Sequence, residues 1–278
     1  MNNMLRDAYS FNQDISNWDV SNVTNMNNMF YNTTGLSNAN KCVIDASFSS
    51  NENWPYDWTE SCPLAACEAV FGCIPTEAEL QTAVNMWIDD NATALATYGH
   101  ISSWDVSIVP EMNSLFQSKT TFNDDISNWD VSSVTDMNYM FHNADSFNQD
   151  LSNWDVSSVT NMHQMFSYME NFNQDLSNWD VSNVTNMSYI FCQSKNFNGD
   201  LSNWDVSNVT NMSYMFYYSE NFNGNLSNWD VSSVTDMHNM FRRAESFNQD
   251  ISNWDVSNVT NMNNMLRDAY SFTSDLSN

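Results

Sequence analysis

The tripeptide Trp-Asp-Val returns every 25 residues, at Trp104, Trp129, Trp154, Trp179, Trp204, Trp229 and Trp254, with one further copy standing apart at Trp18. Residues 175–191 (DLSNWDVSNVTNMSYIF) and 200–216 (DLSNWDVSNVTNMSYMF) differ at a single position. A strict period of this length restricts a chain to one small unit stacked on copies of itself, because each unit can bury its apolar side only against its neighbours. The apolar fraction, 42% of 278 residues, is high enough for a continuous core and too high for a disordered polar tract.

Within residues 147–171, Trp154 and Val156 alternate with Asn153, Asp155 and Ser157, the pattern of a short half-buried strand. Leu151 enters the core from the turn before it. Ser157 or Ser158 is placed to cap a helical turn. Val159, Met162, Met165 and Phe166 follow at the spacing of one helical face, and Phe172 closes the coil. The expected fold is an α/β repeat solenoid, a right-handed coil of short parallel strands alternating with helical turns, with 25 residues per coil. Strands stacked about 4.8 Å apart would align the Trp, Met and Phe columns as core, not as a platform for a sugar or a cofactor.

The repeats are interrupted. Residues 11–29 are identical to 247–265, and residues 1–11 to 262–272. These offsets, 236 and 261, differ by one coil, so a larger plan of array, joint and array is expected. Residues 1–37 read as the end of an upstream array, 38–74 as a cysteine-rich joint, 75–100 as a helical N-terminal cap and 101–278 as the repeat array. Both ends fall in mid-repeat, as in a piece of a longer protein. The joint carries Cys42, Cys62, Cys67 and Cys73. Two disulfides are expected there, in any of three pairings, with an oxidising, extracellular setting. Zinc is disfavoured, because there is no CxxC pair and no histidine nearby. Over 76–98, Thr76 with Glu79 forms a capping box and Leu80, Val84, Trp87 and Ile88 make one apolar face, which predicts a helix lying over the first coil.

Thirty-four acidic residues against seven Lys and Arg give a net charge of −27. Nucleic acid and anionic membrane surfaces are poor partners for such a chain, and no apolar run is long enough to span a bilayer. Two acidic columns recur: Asp105, Asp130, Asp155, Asp180, Asp205, Asp230 and Asp255, and Asp125, Asp150, Asp175, Asp200, Asp250 and Asp275, the second broken by Asn225. Stacked like charges repel. The sharper expectation is calcium between coils, with the first column as an acidic interaction or cation ladder. The plainer one is that nearby Ser, Thr or backbone N–H groups satisfy each carboxylate. Thr135, Thr160, Thr185, Thr210, Thr235 and Thr260 form a column that reads as packing or capping ahead of an ice-binding face. Glycosylation sequons include Asn22, Asn32, Asn91, Asn183, Asn208 and Asn258. His100, His142, His163 and His238 are scattered, Cys192 has no activating partner, and no catalytic motif is present.

The pattern LSNWDVSNVTNM, continued by MF and FNxDLSNWDV, resembles the BspA-type leucine-rich-repeat surface proteins, a group that includes a Mycoplasma repeat of formerly unknown function. The resemblance covers 101–278 and 1–37. It implies a leucine-rich-repeat-like coil, a secreted or cell-surface location, and adhesion or protein binding, with Leu151, Trp154 and Val156 in the place of the LxxLxL signature. Val159 stands where that signature has asparagine, so the turn after the strand must differ. The expected function is non-enzymatic: a repeat module presenting an acidic face to a protein or surface ligand. The alternative is a structural subunit that associates end to end into a filament or surface layer.

Overall fold

The computed structural model describes residues 1–13, 15–36, 38–56, 58, 74 and 76–277, which divide into two units, Met1–Pro75 and Thr76–Asn278. In the first unit, residues 1–11 form half a coil. The amides of Asn3, Leu5 and Asp7 donate to the carbonyls of Asn27, Met29 and Tyr31 in the following coil at 2.9–3.1 Å. Helix α1 (Asn38–Phe48) closes that coil from the other side. Ser47 Oγ donates to Ser16 O at 2.6 Å, and Ile44 and Phe48 share a buried core with Ile15, Val20, Met26 and Phe30. After the helix, Asn51 Nδ2 donates to Val20 O at 2.6 Å. The rings of Trp54, Tyr56 and Trp58 gather on Phe30 with centroids 5.3–6.2 Å away. The segment expected to be a cysteine-rich joint therefore begins as a helix. Cys42 lies within α1, and Cys62, Cys67 and Cys73 lie outside the described residues.

The second unit starts with two helices, α2 (Glu77–Asp89) and α3 (Asn91–Tyr98), where one was expected. Thr76 Oγ1 caps α2 by accepting the Glu79 N–H at 3.1 Å. The break falls at Asp90, which leaves helical geometry (φ −146°, ψ 73°) and turns its carboxylate to the Thr93 N–H at 3.2 Å. Gly99, at φ 78°, ends α3 in a conformation that glycine adopts without Cβ strain. The helices rest on the first coil, residues 101–125. Trp87 Nε1 donates to Asp124 Oδ2 at 2.8 Å, Gln81 Nε2 to Leu115 O at 3.2 Å, and the Trp87 and Tyr98 rings meet Trp104.

The repeats themselves are made of turns. In coil 176–200, six amide-to-carbonyl bonds of 2.9–3.2 Å close the turns 176–179, 181–184, 187–190, 189–192, 191–194 and 194–197. The amides of Met187, Tyr189, Phe191 and Gln193 point the other way. They donate to Asn211, Ser213, Met215 and Tyr217 of the next coil at 2.7–3.1 Å. Over this stretch alternate amides thus serve the coil's own turns and the neighbouring coil. Tyr189 and Gln193 sit at φ 60° and 57°, and the same two places are left-handed in every coil of the array. For residues other than glycine this costs roughly 1–2 kcal/mol each, and it persists because hydrogen bonds on both sides fix the backbone.

The expected α/β leucine-rich-repeat solenoid is corrected by this arrangement. Among the described residues there is no strand, and the repeats contain no α-helix. Successive coils meet in isolated parallel bridges that run from Glu111↔Asp136 through Asp236↔Asn261. Trp179-Asp180-Val181 spans only three residues between two turns, too few to form a strand ladder. The Ser182 N–H turns back to Asp180 Oδ1 at 3.0 Å instead of capping a helix. The spacing of Val184, Met187, Ile190 and Phe191 is met by overlapping turns, which bring these side chains inward without a helix.

The core between coils is aromatic and sulfur-rich. Phe116, Phe141, Phe166, Phe191, Phe216 and Phe241 stack with centroids 5.3–5.8 Å apart. In a second phenylalanine column beside it, from Phe122 to Phe272, successive centroids lie 5.7–6.4 Å apart. From Trp129 to Trp254 each repeat indole has a partner one coil back: Trp179 Nε1 donates to Leu151 O at 2.9 Å, and Trp204 Nε1 to Leu176 O at 2.9 Å, whereas Trp104 Nε1 donates to Gly99 O at 3.2 Å. A tryptophan here fills volume and satisfies a carbonyl that an aliphatic side chain would leave with one bond fewer.

Candidate interaction face

A comparison of the seven coils from Ile101 to Asp275 shows that their differences gather in one stretch. The core and turn positions barely change. The place held by Tyr189 is Ser114, Tyr139, Gln164, Tyr214, Asn239 or Asn264 in the other coils, and that of Gln193 is Ser118, Asn143, Tyr168, Tyr218, Arg243 or Asp268. These are the left-handed positions. Their neighbours, such as Ser188 and Cys192, vary as well. The backbone ladder therefore fixes a row of side chains whose identities the fold leaves free. Five of the seven cationic residues, Lys119, Lys195, Arg242, Arg243 and Arg267, belong to this stretch, away from the Trp-Asp-Val turns that carry the first acidic column.

The row is aromatic along much of its length. Tyr189 and Tyr214 stack at 4.2 Å. His163 lies edge-on between Tyr139 and Tyr189 at 5.1 and 5.7 Å, and its Nδ1 meets Ser188 Oγ at 2.6 Å. Burial pushes both His142 and His163 below the ordinary imidazole range, which favours the neutral ring. Further along, Arg243 covers the Tyr218 ring at 4.8 Å and also donates Nη1–H to its hydroxyl at 2.9 Å; that hydrogen bond draws the phenol below its usual range. Arg242 lies 5.7 Å from the Tyr217 ring centroid. Tyrosine on a stiff backbone offers contact area with little conformational entropy to lose on binding, and Arg243 is already held by the Tyr218 hydroxyl.

The residues singled out from the sequence lie elsewhere. Asp105, Asp130, Asp155, Asp180, Asp205, Asp230 and Asp255 are exposed, and each accepts the N–H of the serine two residues on at 3.0–3.1 Å. The second column does the same at 2.9 Å, for example Asp150 with Ser152 and Asp175 with Ser177. These hydrogen bonds hold Asp130, Asp150, Asp175, Asp180 and Asp200 below the ordinary carboxylate range, even though neighbouring aspartates push Asp150 and Asp200 the other way. Among the described residues no three His, Cys, Asp or Glu side chains converge as a metal site requires. The threonine column is turned to its own scaffold: Thr160, Thr185 and Thr210 each give both N–H and Oγ1–H to the threonine carbonyl one coil back.

The sequon residues Asn22, Asn32, Asn91, Asn183, Asn208 and Asn258 are all exposed. The amide nitrogens of Asn183, Asn208 and Asn258 donate to the carbonyls of Ser157, Ser182 and Ser232 at 2.7–2.8 Å. Cys192 is a buried free thiol, and burial pushes its pKa up to about 12, far from a nucleophile's range. One working column escaped the sequence reading. Asn148, Asn173, Asn198 and Asn223 each accept, at Oδ1, the backbone N–H of the residue 25 further on at 2.8–3.1 Å. Its signal was the Phe-Asn pair present in every coil from Phe122 to Phe247.

Fold and surface together define a repeat protein of stacked turns, with a constant scaffold and one variable row. Residues 1–53, 85–204 and 191–278 match the family described as Mycoplasma protein of unknown function, DUF285, and the chain belongs to it. No curated protein and no solved structure matches it. No helix among the described residues is long and apolar enough to cross a membrane.

Proposed function

We propose that the chain is a non-enzymatic protein-binding module, of the BspA surface-protein type and located outside the cell, that engages its partner through the variable row. What carries this reading is the confinement of sequence differences to positions such as Tyr189, Gln193, Tyr214 and Tyr218, where the backbone is fixed and the side chain is not. A scaffold under structural demands alone has no reason to keep its turns and core constant while varying one row toward Tyr, His and Arg. The acidic columns supply solubility, because their carboxylates are already occupied by serine amides.

The test is a binding screen of the purified chain against extracellular proteins, repeated with two variants. Replacing Tyr189, Tyr214 and Arg243 together by serine is expected to abolish capture. Asp155→Asn with Asp180→Asn is expected to leave it intact. Loss of binding in the aspartate variant alone would move the site to the acidic column and overturn this reading.

A further inference from the structure

In a chain with 34 acids and seven Lys and Arg, a cation without a carboxylate beside it is unexpected. Arg6, Lys195 and Arg267 follow expectation, pairing with Asp7, Glu170 and Asp268 at 3.1–3.6 Å. Arg242 and Arg243 do not. Among the described residues neither pairs with a carboxylate, and the Nε of each is buried without a hydrogen-bond partner. The two lie inside the array, with a coil on each side: the Tyr218 N–H donates to Arg242 O at 2.9 Å, and the Arg243 N–H to Arg267 O at 3.0 Å.

Tyrosine stands where the acids would. Arg243 lies over the Tyr218 ring and is tied to its hydroxyl, and Arg242 lies 5.7 Å from the Tyr217 ring centroid. The Tyr217 and Tyr218 rings meet at 4.5 Å, and Tyr214 backs Tyr217 at 5.2 Å. Both cations act on one phenol: the hydrogen bond from Arg243 lowers Tyr218 most, and the charges of Arg243 and Arg242 add to it against burial. The acids nearest in the chain are turned to other partners, Asp236 to His238 Nδ1 at 2.8 Å and Asp268 to Arg267. Two partly exposed guanidinium groups therefore share one aromatic floor with no carboxylate to neutralise them. The scaffold does not call for arginine here, since the same two places hold Gln117 and Ser118 in the first coil and Cys192 and Gln193 in another.

We propose that Arg242 and Arg243, on the floor of Tyr214, Tyr217 and Tyr218, form a carboxylate-binding site, and that the partner of the variable row is a basic protein segment placing a single Asp or Glu side chain there. This rests on the reading of the row as a protein-binding face. The planar fork of arginine matches a carboxylate in charge and geometry. The surroundings decide what carries that carboxylate. A net charge of −27 repels a polyanion and draws a basic segment. At physiological ionic strength that field acts over about 8 Å, so attraction to the segment's lysines and arginines and pairing with its one acid work together at contact. A second negative charge on the ligand would meet the acids of the same two coils, among them Asp236, Glu245 and Asp268.

The test is to pan the full chain against a phage-displayed library of random dodecapeptides and to measure the selected peptides by fluorescence anisotropy. Expected are peptides rich in Lys and Arg that carry one Asp or Glu. Their affinity is expected to fall about 10–100-fold, the range for a lost charge-assisted hydrogen bond, when that acid is changed to its amide. The same loss is expected when the chain carries Arg242→Gln with Arg243→Gln. Glutamine already stands at these two places as Gln117 and Gln193, so the fold tolerates it, and an unchanged circular dichroism spectrum checks this. The variant with Tyr189, Tyr214 and Arg243 replaced by serine separates the two levels of the reading. Peptides that it loses but the glutamine variant keeps, or peptides without an acid, would overturn the carboxylate site and leave the row standing. Peptides that it retains, or a library from which nothing is enriched over a blank surface, would overturn both.

Discussion

Coil 101–125 and coil 251–275 share the Trp-Asp-Val scaffold and its valine and methionine positions, yet differ in how deeply those positions are buried. Val106 and Val256 hold the same place, at 0% and 39% exposure, and so do Met112 and Met262, at 1% and 39%. The first coil lies under α2 and α3, whereas no described residue stacks on the far side of the last. Whether a residue is core in this protein is therefore decided by what stacks on its coil and not by the coil's own text. The residues of the cap matter as much to coil 101–125 as its own valines and methionines.

The sharpest way to break the contrast is to remove the cover. Trp87→Ala, in α2, is expected to cost about 3–5 kcal/mol, the range for a large buried aromatic, and to raise amide exchange in coil 101–125 to the level of coil 251–275. Hydrogen exchange with mass spectrometry reads both coils in one experiment. A smaller effect separates the interior coils from coil 251–275. Met187→Ala is expected to cost about 2–5 kcal/mol, and Met262→Ala under about 1 kcal/mol, measured by urea unfolding. Equal costs would mean that the end coil is covered in solution.

Much of this was readable in advance. The 25-residue period, the inward Trp, Val, Met and Phe positions and the Thr76 cap are all properties of where apolar side chains and capping groups recur. What periodicity does not record is where amides go. Val184, Met187, Ile190 and Phe191 suit a helix and a run of overlapping turns equally well, because both bring every third or fourth residue inward. The choice is made by the alternation of bonds between Ile190→Met187 and Met187→Asn211, and so by the neighbouring coil. The left-handed places were hidden for a related reason. Tyr189, Gln193 and Tyr214 are not the glycine or asparagine that usually marks such a backbone, and the stacked context imposes it. The variable row is written in the sequence as well, but differences among repeats carry no periodic signal, whereas the constant aspartates do.

That backbone strain gives the third measurement. Gln193→Gly removes the Cβ from a left-handed position inside the array and is expected to raise stability by up to about 1 kcal/mol after the entropy of the freer unfolded chain is counted. Asp268→Gly, in the end coil, is expected to give less, and thermal unfolding of the two variants ranks them.

The fourth is acid titration. The lowered carboxylates of Asp130, Asp150, Asp175, Asp180 and Asp200 bind protons more weakly folded than unfolded. Their contribution is present in full above the unfolded carboxylate range, near 4, and is lost as pH falls through the folded values. His142 and His163 add the same sign higher up, from about pH 6.5 downward. Stability is therefore expected to fall in two stages on acidification. A rise on acidification would show that repulsion along the columns outweighs the serine bonds. Smallest of all is the effect of chelator: with each carboxylate already bonded, the melting temperature is expected to be the same with and without EDTA, and a drop would place a cation between coils.

The alternation of amides also decides how the array gives way under load. A coil that lends half its turn-region donors to its neighbour cannot yield without releasing that neighbour's edge, and it cannot stand alone once the neighbour is gone. Pulled from one end, such a stack comes apart one layer at a time, each layer exchanging a rise of about 5 Å for a slack of about 85 Å of extended chain. The molecule is in this sense a spool: stiff along its axis while wound, and able to pay out length in equal steps.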